Sequence, residues 1–142
     1  MKKIAIASDH GGYLLKETIK ATFINDKSIT LIDHGTHSEK SVDYPDYAQK
    51  VVNSIINNES TLGILCCGTG IGMAIKANRN PKIRAAVAYN ESTAKLCKSH
   101  NNTNILCLGE RTTPTELAIK IINIWLQTEF EGNRHLVRIQ KL

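Results

Sequence analysis

Five short β-rich runs separated by helical patterns constrain this chain more than any other feature of it. The runs read as Lys3–Ser8, Ile29–Asp33, Leu62–Cys66, Arg84–Tyr89 and Asn104–Leu108. Between them Leu15, Ile19 and Phe23 share a helical face, as do Ala48, Val51, Val52, Ile55 and Ile56. Regular alternation of this kind predicts a parallel sheet with helices on both faces. Thr113-Pro114-Thr115-Glu116 reads as a capping box with proline at the first helical position, opening a helix on which Leu117, Ile121 and Trp125 line up. A last segment from about Asn133 to Leu142 follows Glu131-Gly132. The chain is 142 residues long, and no linker, low-complexity tract or internal repeat divides it. One domain over 1–142 is expected.

Composition removes several classes of function. The four cysteines, Cys66, Cys67, Cys97 and Cys107, lie in or beside apolar runs and form no C-x-x-C pair, which argues against zinc and for a reducing compartment, the cytoplasm. No run approaches the roughly 18 apolar residues of a membrane span, and Met1-Lys2-Lys3 leads into a strand instead of a signal-peptide core. The formal charge of +5 could attract nucleic acid, but the lysines are scattered and aromatic residues make up only 5%, so there is no stacking platform. A small anionic metabolite accounts better for localised positive charge.

In parallel α/β sheets ligands bind at the carboxyl ends of the strands, so the residues there carry the functional message. The third run ends in Cys66-Cys67-Gly68-Thr69-Gly70-Ile71-Gly72-Met73, a thiol followed by glycines at alternate positions and a helix starting near Gly72. Backbone N–H groups in such a turn can crowd around an anion, and the helix N-terminus favours the thiolate, the reactive form of cysteine. A small core cysteine beside a tight turn would read the same way. Strand alternation sends Cys66 to the opposite face, where it is expected to be inert.

The first run ends in Ser8-Asp9-His10-Gly11-Gly12, a carboxylate and an imidazole suited to proton handling or phosphate contact, although Asp9 alone also fits an N-cap. In the segment after the second run, Asp43 and Tyr44 could face a ligand, while His34 and His37 read as solvated loop residues. His100 closes a helix, where the dipole favours its cationic form and makes it a proton donor; as simple punctuation it would be a C-cap with Asn101 left-handed. Arg134 and Arg138 stand four apart, so on a helix they could clamp one phosphate, and Arg111 adds a third cation just past the fifth run. Three arginines suit a phosphorylated substrate.

Taken together, Ser8-Asp9-His10-Gly11-Gly12, Asp43-Tyr44-Pro45, Cys67-Gly68-Thr69-Gly70-Ile71-Gly72, His100-Asn101-Asn102-Thr103-Asn104 and Gly132-Asn133-Arg134-His135 resemble the type-B ribose-5-phosphate isomerases, in order and spacing, over essentially the whole chain. The resemblance implies a three-layer α/β/α Rossmann-like fold with a five-stranded parallel sheet in the order 2-1-3-5-4 or close, plus a C-terminal helix. It implies interconversion of ribose 5-phosphate and ribulose 5-phosphate in the non-oxidative pentose phosphate pathway, without metal or cofactor. By the same resemblance Cys67 is the base between C2 and C1, and His100 opens the furanose ring. Asp9 and His10 contact the sugar phosphate, with Asp43 and Tyr44 as further candidates for the ligand, and the backbone from Gly68 through Gly70 and Ile71 to Gly72, with the Thr69 hydroxyl, holds the enediolate. Asn101 binds a sugar hydroxyl, and Arg111, Arg134 and Arg138 match phosphate and sugar ligands. The site is expected between the subunits of a homodimer or a dimer of dimers.

Other readings stay open. An allose- or galactose-6-phosphate isomerase shares the architecture, although galactose-6-phosphate subunits tend to lack the thiol in this turn. Ile71, Gly72 and Met73 offer no carboxylate base in place of Cys67. A dinucleotide-dependent oxidoreductase is disfavoured because Met73 stands where a third glycine would be and the loop follows the third strand. A noncatalytic flavodoxin-like nucleotide-binding module is the remaining rival.

Overall fold

A computed structural model describes residues 1–142. Five parallel strands, β1 (Lys2–Ser8), β2 (Ile29–Asp33), β3 (Leu62–Cys67), β4 (Ala85–Val87) and β5 (Ile105–Gly109), form one sheet in the order β2-β1-β3-β5-β4. A 3-10 turn (His10–Gly12) and α1 (Tyr13–Phe23) follow β1, and α2 (Tyr44–Ile56) follows β2. The remaining helices are α3 (Ile71–Ala77), α4 (Glu91–Ser99), α5 (Thr115–Gln127) and α6 (Arg134–Ile139). This is the expected three-layer Rossmann-like arrangement.

The period of two along each strand builds two cores. Ile4, Ile6, Ile64, Cys66, Leu106 and Leu108 face one side, where Leu15 and Ile19 of α1, Ala94 of α4 and Ile121 and Trp125 of α5 cover them. Ala5, Ala7, Leu65, Cys67 and Cys107 face the other, under Val51 and Val52 of α2 and Met73 and Ala77 of α3. Each fully buried Ile or Leu contributes about 1.5–3 kcal/mol. Trp125 is fully buried because its Nε1–H donates to Thr103 Oγ1 at 2.8 Å, leaving no unpaired polar atom on the ring. Cys66 and Cys67 lie in opposite cores, and burial pushes the thiols of Cys66, Cys97 and Cys107 up.

Two details differ from expectation. Pro114 is the N-cap of α5 and not its first helical residue: its ψ of 144° is extended, its carbonyl accepts the first helical N–H from Ala118, and no side chain caps the helix. After α4 the left-handed residue is Asn102, at φ 46°, because His100 itself is the C-cap and keeps right-handed helical angles.

Candidate active site

The thiol of Cys67 is placed by the end of β3. The chain leaves the strand through Gly68 and Thr69, and Gly70 turns it back at φ 78°, a left-handed conformation that a side chain would strain. The reversal aims the Gly70 N–H at Cys67 Sγ, 3.0 Å away. A thiolate accepts such a bond more strongly than a thiol does. The Thr69 hydroxyl accepts from Ile71 N–H at 3.2 Å, which holds the first turn of α3 together.

Above this turn lies an open cleft of about 400 Å³ lined by Asp9, Tyr44, Cys67, Thr69, Gly72 and Arg111 among others. Asp9 Oδ1 accepts from Gly12 N–H at 3.1 Å, capping the 3-10 turn, and the residue also lines the cleft. Arg111 follows β5 and lays its guanidinium across Gly68, where a Cβ would come within 3.0 Å of Nη1. A Cβ on Gly11 would meet Asp9 Oδ1 at 3.3 Å and Arg111 Nη2 at 3.8 Å, so carboxylate and guanidinium converge beside Gly11. The Tyr44 ring rests on Gly72 in the same manner, with Cε2 and Cζ 2.6 Å from where a Cβ would be. Gly68, Ile71 and Gly72 also border the cleft, while Gly70 is buried beneath it.

His10 sits on the 3-10 turn, half-buried, with Nδ1 accepting Val42 N–H at 3.1 Å. Asp43 is exposed at the N-cap of α2, makes no side-chain cap bond and does not line the cleft. Ile75, one turn along α3 from Ile71, does line it. Its position four residues on was the only sequence signal for it.

His100, Asn101, Arg134 and Arg138 are not at this cleft. Their place follows from topology: α4 starts after the carboxyl end of β4 and returns to the amino end of β5, so its C-cap His100 lies at the opposite edge of the sheet from Cys67. At about 3.3 Å per residue, β3 alone puts roughly 17 Å between those edges. Within one chain, Asp9, Cys67 and Arg111 therefore share the carboxyl edge of the sheet, and His100 and α6 lie at the other.

A second cluster forms at that far edge. His100 and His135 stack with ring centroids 4.1 Å apart and planes 15° off parallel. Glu131 reaches both, its carboxylate oxygens 3.9 Å from His100 Nε2 and 3.5 Å from His135 Nε2. Nearly parallel rings run their in-plane lone pairs side by side and do not converge them on one ion. Burial, helped by the Arg134 and His100 charges, holds His135 below the usual histidine range, and its Nε2 is buried without a hydrogen-bond partner. Arg134 and Arg138 project exposed from α6, and the carbonyl of exposed Asn101 accepts Arg84 Nε–H at 3.1 Å. His135 stood in a quoted run without a role, and Glu131 four residues before it was its visible partner. The main-chain donor of Val42 left no trace in side-chain identity.

The family model described as Ribose/Galactose Isomerase matches residues 4–142. The chain is 42% identical to the ribose-5-phosphate isomerase B of Escherichia coli, with 100% of this chain and 95% of that one covered. Among solved structures, a ribose 5-phosphate isomerase from Thermotoga maritima superposes with a TM-score of 0.95 at 54% identity, covering 99% of this chain and 96% of that one. Ribose-5-phosphate isomerase B from Mycoplasma genitalium, solved with bound ribulose-5-phosphate, gives a TM-score of 0.91 at 40% identity, covering 98% and 92%.

Proposed function

Because this chain belongs to the ribose/galactose isomerase family, we infer that it interconverts ribose 5-phosphate and ribulose 5-phosphate, with Cys67 as the base. The observation that carries the reading is Cys67 Sγ under the Gly70 N–H, at the strand end that floors the cleft.

The Cys67 thiolate takes the proton from C2 of the open-chain aldose. The electron pair of that C–H bond moves into the C1–C2 bond, and negative charge passes to O1. The turn from Gly68 to Gly72, with the Thr69 hydroxyl, meets the enediolate oxygens through the N–H groups left free when Gly70 donates to Cys67 and Ile71 to Thr69. Losing one such preorganised donor typically costs about 3 kcal/mol of barrier. The proton on O2 passes to O1, and the Cys67 thiol returns its proton to C1, which leaves the ketose and regenerates the thiolate.

Asp9, His10 and Tyr44 contact the sugar phosphate, with Asp43 at the start of α2 beside them, and Arg111 supplies charge at the cleft. Ring opening and the phosphate clamp come from a second copy, whose His100, Asn101, Arg134 and Arg138 face this cleft across the interface of a homodimer or a dimer of dimers. The opposite-edge placement of the two clusters supports this arrangement. A single isomerase domain over 1–142 fits two cores that share one sheet, and the cytoplasm fits four free buried cysteines. No helix is long and apolar enough to cross a membrane.

Purified protein, treated with a chelator, is given ribose 5-phosphate, allose 6-phosphate and galactose 6-phosphate, and kcat/KM for ketose formation is compared. The pentose phosphate is expected to lead. Absence of ketose from it would sink the assignment, and a lead for either hexose phosphate would move the substrate class.

A further inference from the structure

We propose that the main-chain N–H of Val42 locks His10 as its Nε2–H tautomer, making the ring a neutral hydrogen-bond donor to the substrate and Val42 a positioning residue. An amide N–H only donates, so the ring nitrogen 3.1 Å from it must carry a lone pair. A neutral imidazole has one N–H, which then sits on Nε2. The substrate side of the proposal rests on the isomerase reading; the tautomer does not.

The contact is built rather than incidental, because both ends of the segment between β2 and α2 are tied down. Near β2, His34 N–H donates to Ile6 O at 2.8 Å, Ser8 N–H to Gly35 O at 2.7 Å and Thr36 N–H to Ser8 O at 2.8 Å. Asp33 accepts from Gly35 N–H at 2.9 Å and is itself gripped by fully buried Lys16 at 2.8 Å. At the other end α2 packs Ala48, Val51 and Val52 into the core. Val42 is thereby presented to a ring on the turn whose cap, Asp9, lines the cleft. A ring nitrogen already bearing a proton cannot take one from carbon. His10 therefore reads an acceptor oxygen of the sugar phosphate and leaves the base role to Cys67.

Long-range 1H–15N spectra of imidazole-labelled protein without substrate, with His10 signals assigned by their loss in His10→Asn, are expected to show a protonated Nε2 and a bare Nδ1 at neutral pH. The reverse pattern, or averaged signals from both tautomers, would overturn the proposal whatever the enzyme's activity. Two substitutions then separate the two nitrogens. His10→Asn keeps an acceptor near the Nδ1 position and loses the distal donor; His10→Gln keeps a distal N–H and loses the acceptor. His10→Asn is expected to raise KM for ribose 5-phosphate by about tenfold, as losing a hydrogen bond to a charged or polar oxygen does, and His10→Gln, which keeps the donor but loses the Val42 tie, to raise it less. Equal losses, or a larger loss in His10→Gln, would overturn the donor role of Nε2.

Discussion

Mixing two dead variants should restore a defined fraction of the activity. On the proposed assignment, Cys67→Ala removes the base and His100→Asn removes the ring-opening imidazole. The strand between their edges spans roughly 17 Å, so no single chain can bring both to one sugar. In the proposed two-fold dimer each cleft would pair Cys67 of one copy with His100 of the other. A heterodimer of the two variants then holds one cleft with both lesions and one with neither. Random assortment from equal amounts makes about half the dimers mixed, so about one quarter of all sites, and about one quarter of wild-type turnover, should return. The assay is ribulose 5-phosphate formation by co-expressed, differently tagged chains purified through both tags in turn, where the isolated heterodimer should reach about half of wild type. Heterodimers as inactive as the parents would refute the assembly of each site from two chains.

Cys67→Ala should abolish turnover yet leave ribose 5-phosphate binding by calorimetry nearly intact; substantial residual turnover would remove Cys67 from the base role. Arg138→Ala should raise KM for the phosphorylated sugar about tenfold by removing a charge-assisted contact, and an unchanged KM would return it to ordinary surface. Gly12→Ala would place a Cβ 2.4 Å from the carbonyl carbon and oxygen of Cys66, and, since backbone yields little, should cost about 3 kcal/mol in urea unfolding, the upper range for overpacking. Burial pushes the Asp33 carboxyl up, but hydrogen bonds from Lys16, Lys20 and Gly35 N–H outweigh it and hold it at about 2, below its ordinary 3.8. Its folded value is the lower one, so the stability it adds is present above about pH 4 and is lost as pH falls through about 2. Asp33→Asn should flatten that acid limb of the unfolding curve. It should also cost about 3 kcal/mol at neutral pH, the low end for breaking a buried pair, because Glu17 still reaches Lys16 at 2.9 Å.

The architecture was legible in residue order because strand and helix periodicities are local: Ile4, Ile6 and Ala5, Ala7 separate onto two faces by the pleat alone, and the thiol-glycine turn after β3 announces itself in ten residues. The α5 cap was misread because Thr113-Pro114 fits two registers one residue apart, and only the Pro114 dihedrals separate them. The site was legible as a set of residues and not as a place. Spacing says that His100 ends a helix, and a parallel crossover from β4 to β5 returns that end to the amino edge of the sheet; that Glu131 and His135 meet it there is decided by tertiary packing. The lone pair of His10, likewise, is assigned by a main-chain donor 32 residues away, and every amino acid but proline carries that same N–H. Side-chain chemistry and its local period are written along the chain; which groups meet, and through which atom, is decided by packing between segments the sequence holds apart.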